Sequence, residues 1–326
     1  MRYRELGTTG IEASAVGLGC WAIGGFLWGG TDEAAAVDAI RASLDSGVTL
    51  VDTAPIYGFG LSEELVGKGI AGRRDQVVLA TKCGLVWHTK RGEHSWDVEG
   101  RSIHRYLGPD SIRFEIEESL RRLGTDRVDL YQTHWQEPTT PIEDTMAALL
   151  DLQQQGKIRA IGVSNAQLEQ LQRYVACGTV ASAQERYSML DRGLEATLLP
   201  YCREHGISIL AYSPLANGLL TGKISPDRQF KGDDLRRDNP RFGKGNLRKV
   251  AALLKELQPI AERHQVTVGQ IVIAWTLVQP GVTFALVGAR NPVQARENAA
   301  AGDIELSAEE LRTVDDVLVR RGPGIR

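Results

Sequence analysis

Four side chains in the first half of the chain have complementary proton chemistry: Asp52, Tyr57, Lys82 and His134. A phenol, with an ordinary pKa of about 10, becomes a usable proton donor when a neighbouring ammonium stabilises the phenolate it leaves behind. A carboxylate beside that ammonium keeps it charged and fixes its direction. A neutral imidazole alongside donates a hydrogen bond to an oxygen and sets its angle. Such a set protonates an alkoxide, the species left when hydride adds to a carbonyl carbon. In that scheme Tyr57 gives the proton, Lys82 lowers its pKa, Asp52 holds Lys82, and His134 orients the oxygen. Each residue alone has a plainer reading: a solvated lysine, a satisfied structural histidine, or an Asp-Thr pair at a helix entry. Only a fold that gathers them would favour the chemical one.

The elements that must position them follow from hydrophobic periodicity. Short β-branched apolar runs at 15–19, 49–52, 77–82, 128–134, 158–163, 180–184, 207–212 and 283–288 read as strands. Stretches with apolar residues at helical spacing fall at 32–46, 110–123, 142–155, 166–177 and 194–205, each followed by glycine. In 110–123, Ile112, Ile116, Leu120 and Leu123 share one face, and Asp110 is placed to cap the first turn. Strands alternating with helices pair in parallel through right-handed crossovers, and eight such units close into an α/β fold of the (β/α)8 TIM-barrel type. A doubly wound open sheet is the alternative, but no G-x-G-x-x-G follows the first strand. No linker or composition shift divides 1–326, so one barrel domain is expected, with long connections at 83–108 and 213–246. In such a barrel the chemistry sits where the strands end. Gly19 with Cys20 and Trp21, Asp52 with Tyr57, Lys82, His134, Ser164 with Asn165, Gln184, Tyr212, and Gly288 to Arg290 all fall there.

Composition narrows the partners. The chain is 42% hydrophobic and 24% charged with a formal net charge of -3, which gives no drive toward nucleic acid or an anionic membrane surface. No stretch approaches the roughly 20 apolar residues of a bilayer span, and the charged start Met1 to Glu5 does not fit a secretory segment. Cys20, Cys83, Cys177 and Cys202 are widely separated and suit a reducing, cytoplasmic setting. A small-molecule partner is expected, and no segment specifies an oligomeric state.

With these positions in place the chain resembles the aldo-keto reductase superfamily, most of all its bacterial branch with a long loop after strand seven. The matching stretches are VGLGCW at 16–21, VDTAPIY at 51–57 with Gly58, Ser62 and Glu63, ATK at 80–82, LGTDRVDLYQTH at 123–134, IGVSN at 161–165, YSPL at 212–215 and VGAR at 287–290. The resemblance implies a nicotinamide-dependent carbonyl reductase in which Asp52, Tyr57, Lys82 and His134 are catalytic. It implies that Ser164, Asn165 and Gln184 bind the nicotinamide carboxamide and that Tyr212 stacks on its ring. Ser213, Pro214, Leu215, Gly218, Leu220 and Gly222 belong to the loop over the pyrophosphate. Gly288, Ala289, Arg290, Gln294, Glu297 and Asn298 serve the adenosine end. Arg290 is suited to a 2′-phosphate, which favours NADP(H) over NAD(H); Gln294 stands where one branch of the family has arginine.

Trp21, Trp28, Trp87 and Trp135 lie at or just beyond strand ends, and with Tyr57 and His134 they predict an apolar, aromatic substrate pocket for a carbonyl or alcohol. Two rival readings fit the sequence less well. A cofactor-binding regulatory subunit, known within the superfamily, is disfavoured by His134, because that branch carries another residue there. A metal-dependent barrel hydrolase needs clustered ligands, yet the six histidines form no His-x-His pair and only His134 ends a strand.

Overall fold

The computed structural model describes residues 1–322, 324 and 325. In chain order its strands are β1 (Tyr3–Glu5), β2 (Glu12–Ser14), β3 (Val16–Gly19), β4 (Leu50–Asp52), β5 (Val78–Cys83), β6 (Leu85–Val86), β7 (Glu93–Val98), β8 (Arg101–Arg105), β9 (Val128–Thr133), β10 (Ile158–Ser164), β11 (Ser182–Arg186), β12 (Ser208–Tyr212) and β13 (Val282–Gly288). The helices are α1 (Glu33–Asp45), α2 (Leu61–Ile70), α3 (Pro109–Leu123), α4 (Ile142–Gln154), α5 (Leu168–Cys177), α6 (Leu198–Glu204), α7 (Lys244–His264), α8 (Val268–Val278), α9 (Pro292–Ala300) and α10 (Ala308–Arg321). Strands β3, β4, β5, β9, β10, β11, β12 and β13 close into a parallel barrel in that order. These are the eight strands expected from periodicity, each within two residues of its expected bounds. Among the described residues no helix is long and apolar enough to cross a membrane.

Strand alternation divides the core into two shells. Leu50, Val78, Ala80, Leu130, Leu210 and Phe284 point inward and fill the barrel. The opposite faces, with Val51, Leu79, Ile161 and Ile209 among them, pack against the helices. The β1–β2 hairpin closes the barrel beneath the strand N-termini, driving Leu6, Ile11 and Ala13 into the inner cluster. Polar side chains are thereby left to the opposite, carboxyl-end rim.

Several local expectations need correction. The connection 83–108 is not a loop: β6, β8 and β7 form a three-stranded antiparallel sheet. Its β7–β8 turn is Glu99-Gly100, with φ of 49° and 75°, so a glutamate occupies a position normally taken by Asn or Asp. The stretch 213–246 is irregular up to residue 243, with two 3-10 turns, and then enters α7. Asp110 does not cap α3, which starts at Pro109; its carboxylate accepts from Tyr106 Oη at 2.8 Å and from Arg91 at 2.6 Å. Helix α6 is shorter than 194–205, because Thr197 (φ -133°, ψ -71°) leaves helical geometry just before it. Gly124 ends α3 with φ 64°, whereas Gly178 after α5 is extended at φ 166° and needs no glycine.

Candidate active site

Lys82 ends the inward face of β5 and is wholly buried, so its charge must be answered by protein groups. Its Nζ donates to Asp52 Oδ1 at 2.6 Å, to the Thr53 carbonyl at 2.9 Å and to Tyr57 Oη at 3.3 Å. All three N–H donors are therefore used. Burial disfavours the ammonium, but Asp52 and Tyr57 outweigh it and the Lys82 pKa is raised. The other Asp52 oxygen accepts from Gln184 Nε2 at 2.8 Å and from Gln132 Nε2 at 3.1 Å, and Gln184 Nε2 also donates to Gln132 Oε1 at 3.1 Å. Four strands thus meet in one buried polar network. The sequence reading missed Gln132. Its signal was available, since Gln132 and His134 are two residues apart and one strand face takes both.

The His134 ring stands edge-on to Tyr57, centroids 5.7 Å apart at 83°. Burial, with Lys82 adding to it, pushes the imidazole well below its ordinary value. It is neutral at physiological pH and can donate to an oxygen without carrying charge. Tyr57 departs from expectation: burial raises its pKa, and the pull of Lys82 does not offset that. A buried phenol resists ionisation more than one ammonium, already shared with Asp52, can relieve. The hydroxyl therefore stays protonated, and Lys82 is placed to stabilise a phenolate if the proton leaves.

Backbone crowding fixes Tyr57. A Cβ added at Gly24 would sit 2.5 Å from the Tyr57 carbonyl, and one at Gly58 (φ 69°) would sit 2.2 Å from the Gly24 carbonyl oxygen. Neither position accepts a side chain. Above the ring, Trp21 lies nearly parallel, centroids 6.2 Å apart.

Next to the network, β10 and β12 deliver a second polar group. Ser164 Oγ donates to the Gln184 carbonyl at 2.8 Å, and Asn165 Nδ2 donates to the His134 carbonyl at 2.9 Å. Tyr212 Oη donates to Asn165 Oδ1 at 2.8 Å. Asn165 is left-handed at φ 54°, and buried Glu185 holds the next turn by accepting Ala166 N at 2.9 Å. Ser213, Ala216 and Asn217 are left-handed as well (φ 54°, 47° and 56°). Such strain persists only where surrounding contacts impose it, and it gathers at one rim here.

Asp52, Tyr57, His134, Ser164, Asn165, Gln184, Tyr212 and Asn217 line one cavity of about 580 Å³ that also takes in Arg290, Gln294, Glu297 and Asn298. At its outer end Arg290 donates to the Trp28 carbonyl at 3.1 Å and to that of Gly30, while its own N–H is accepted by Gln294 Oε1 at 2.9 Å. Glu297 pairs with Lys223 at 2.5 Å and Asn298 Nδ2 donates to the Gly288 carbonyl at 3.0 Å. Gly19, Cys20, Trp21, Trp28, Trp135, Ser213, Pro214, Leu215, Gly218 and Gly288 are on the wall as well. Leu220 and Ala289 are instead core residues, and Gly222 is the left-handed end of the turn at 216–221. Trp87 is not on the wall either; it packs edge-on to Phe59 at 5.4 Å, and Trp96 from β7 lines the cavity together with Arg105 from β8. Neither is placed at the site by a reading of 83–108 as a loop; the β7–β8 hairpin brings both there.

The model of the aldo/keto reductase family matches residues 15–319. The chain belongs to that family. It is 43% identical over 329 residues to the NADH-specific methylglyoxal reductase of Escherichia coli (strain K12), covering 98% of this chain and 100% of that one. Among solved structures it is similar to the glycerol dehydrogenase AKR11B4 from Gluconobacter oxydans, at TM-score 0.89 and 40% identity over 99% of this chain and 96% of that one. An aldo/keto reductase from Klebsiella pneumoniae in complex with NADP matches at TM-score 0.72 and 32% identity, over 97% of this chain and 94% of that one. As an aldo/keto reductase the chain has its polar network at the carboxyl-end rim, the usual place for chemistry on a (β/α)8 barrel.

Proposed function

We propose that this aldo/keto reductase reduces aldehydes and ketones to alcohols with NADP(H), Tyr57 supplying the proton. The observation that carries the reading is a single buried ammonium, Lys82, held between Asp52 and the Tyr57 hydroxyl. The nicotinamide, when bound, supplies the hydride. The protein does the rest: neutral His134 orients the substrate oxygen, Tyr57 protonates it, and Lys82 stabilises the resulting phenolate. In the oxidative direction the same phenolate accepts the proton from an alcohol.

The residues fit such a cofactor. Gln184 spends its amide N–H donors on Asp52 and Gln132, and among the described residues none donates to its Oε1, which leaves an acceptor for a carboxamide N–H. Ser164 and Asn165 lie beside it, Tyr212 offers a ring on the cavity wall, and the 213–222 segment supplies backbone to a pyrophosphate. Arg290 uses two N–H groups on carbonyls, and the rest of its fork remains for a 2′-phosphate. One relative is named NADH-specific and another is bound to NADP, so Arg290 is the residue on which the choice is tested.

The experiment is titration with NADPH and NADH followed by tryptophan fluorescence, then turnover with a reactive aldehyde, in the native protein, Tyr57→Phe and Arg290→Ala. Tyr57→Phe lowers turnover on the order of 10²–10⁴-fold with cofactor affinity nearly unchanged. Arg290→Ala weakens NADPH about tenfold or more and leaves NADH nearly unchanged. Tight NADPH binding without any turnover in the native protein would favour a regulatory subunit, and full activity in Tyr57→Phe would remove Tyr57 from the mechanism.

A further inference from the structure

The substrate end of the cavity is walled by Trp21, Trp96, Trp135, Phe26, Ile56 and Leu85, with one cation among them, Arg105. The other cations on the wall, Lys223, Arg228, Arg236 and Arg290, belong to segments 223–236 and 290; Arg236 lies over the Trp28 ring at 4.8 Å and Arg290 donates to the Trp28 carbonyl, so both are engaged with the 28–30 turn. Arg105 sits on β8, the central strand of the three-stranded sheet, opposite Leu85 on one side and Glu93 on the other. Its guanidinium carbon lies 4.9 Å from the centre of the Trp135 ring, and Trp135 directly follows His134. The guanidinium is thus held against the wall one residue from the group that orients the reacting oxygen.

One donor of this guanidinium is unspent and buried. Nε is buried and has no hydrogen-bond partner among the described residues. The ion pair with Glu93 is long, Nη1 to Oε2 at 3.5 Å, and Glu93 lies half exposed on the solvent side. A guanidinium carries five N–H groups in a rigid plane; the Nη groups reach solvent, but the buried Nε–H has no acceptor, which is unfavourable until one arrives. A carboxylate matches that plane, and the contact with the Trp135 ring restricts the rotamers that binding would otherwise have to fix.

We propose that Arg105 is a substrate-recognition residue that selects carbonyl compounds bearing a carboxylate, the oxo acids, by pairing with the end remote from the reacting carbonyl. The inference rests on the carbonyl-reductase reading above and adds the substrate class. Glu93 tempers the site, since its charge competes with the substrate for the same fork.

The test compares kcat/KM for para-carboxybenzaldehyde and para-methylbenzaldehyde, and separately the binding of para-methylbenzoate and its neutral amide by quenching of tryptophan fluorescence. The native protein prefers the carboxylate aldehyde about tenfold or more. In Arg105→Met that ratio falls to about one or below; Arg105→Lys retains part of it as a point charge, and Glu93→Gln raises it. Benzoate binding weakens in parallel in Arg105→Met while amide binding does not. No preference in the native protein, or an equal preference in Arg105→Met, overturns the proposal. So does benzoate binding that ignores Arg105, because the anion then sits on His134 and Tyr57. If neither aldehyde turns over, the reductase reading falls, and Arg105-dependent benzoate binding still decides the subsite.

Discussion

The floor of the cavity and the segment that crosses its outer half are built on opposite principles. On the floor, Asp52, Lys82, Gln132 and Gln184 come from four barrel strands, are buried, and spend their hydrogen bonds on one another. The crossing segment, 213–243, has little regular structure; besides the largely buried pair Arg236–Asp234 it holds exposed ones such as Lys244–Asp227 and Arg237–Asp238. It reaches the opposite rim through Asp233, which accepts the Leu27 and Gly29 N–H groups at 2.7 and 2.9 Å, and through Arg236 over the Trp28 ring at 4.8 Å. A buried network is costly to disturb in any one member, whereas exposed pairs contribute little each and open locally. The contrast places fixed geometry around Lys82 and Tyr57 and easily remade contacts over the outer half, the arrangement that the proposed function requires if a long cofactor enters there.

The sharpest way to break that comparison is Lys82→Met. It removes the ammonium but leaves Asp52 buried with only the two glutamine amides, and losing one partner of a buried pair costs about 3–5 kcal/mol. Urea unfolding should register that loss together with near-complete loss of turnover. A stability change below about 1 kcal/mol would mean that the floor is solvated and that its rigidity is misread. Gln132→Leu is the milder version: two hydrogen bonds go and Asp52 Oδ2 keeps only Gln184, for a cost of about 1–3 kcal/mol in the same assay.

How much of this was legible in the sequence differs between the two regions for the same reason. The floor residues sit at the ends of β-branched runs, so a barrel assignment alone puts Asp52, Lys82, His134 and Gln184 on one rim. Gln132 escaped notice because a glutamine inside a strand usually reads as the solvent face, and only barrel closure turns that face inward. The β7–β8 hairpin escaped because Glu99-Gly100 is a weak turn signal and the strand EHSWDV carries few apolar residues. With it went Trp96 and Arg105. The Tyr57 pKa was expected to fall and instead rises, because spacing reveals a neighbouring ammonium but not the burial that opposes it. In the crossing segment, Gly, Asp, Arg and Lys forecast irregular chain, yet nothing in that composition specifies that Asp233 would bind the 27–29 turn.

The floor also predicts a pH signature. His134 has a folded pKa well below its ordinary value because burial and Lys82 disfavour its charge. Below about pH 6.5 the unfolded chain takes up a proton that the folded chain refuses, so this contribution is complete above that pH and is lost as pH falls toward the folded value. The slope is at most about 1.4 kcal/mol per pH unit. Glu115 and Glu185 work the other way, since burial raises them to about 8 and about 7, and their protonated folded forms lose stability as pH rises. The difference between native protein and His134→Gln isolates the histidine. Urea midpoints from pH 5 to 7 should diverge toward the acid end, with the native protein falling more steeply; parallel curves would show that the imidazole titrates alike in the folded and unfolded chain, as an exposed one does.

The smallest effect on stability is expected in the crossing segment, and there the kinetics matter more. Asp233→Ala removes the two hydrogen bonds that tie the segment to the Leu27 and Gly29 N–H groups but leaves Leu235 N bonded to the Leu27 carbonyl at 3.0 Å and the Arg236 stack in place. Both lost bonds are to exposed groups that water can satisfy, so unfolding free energy should change by less than about 1 kcal/mol. If the segment closes over bound NADPH, release of that cofactor, measured by stopped-flow displacement, should speed up severalfold while single-turnover reduction, set by the floor, stays the same. A release rate identical to that of the native protein would show that the 27–29 turn and the segment open together or not at all, and the division between a fixed floor and a loosely held cover would have to be redrawn further out, at Lys223 and Glu297.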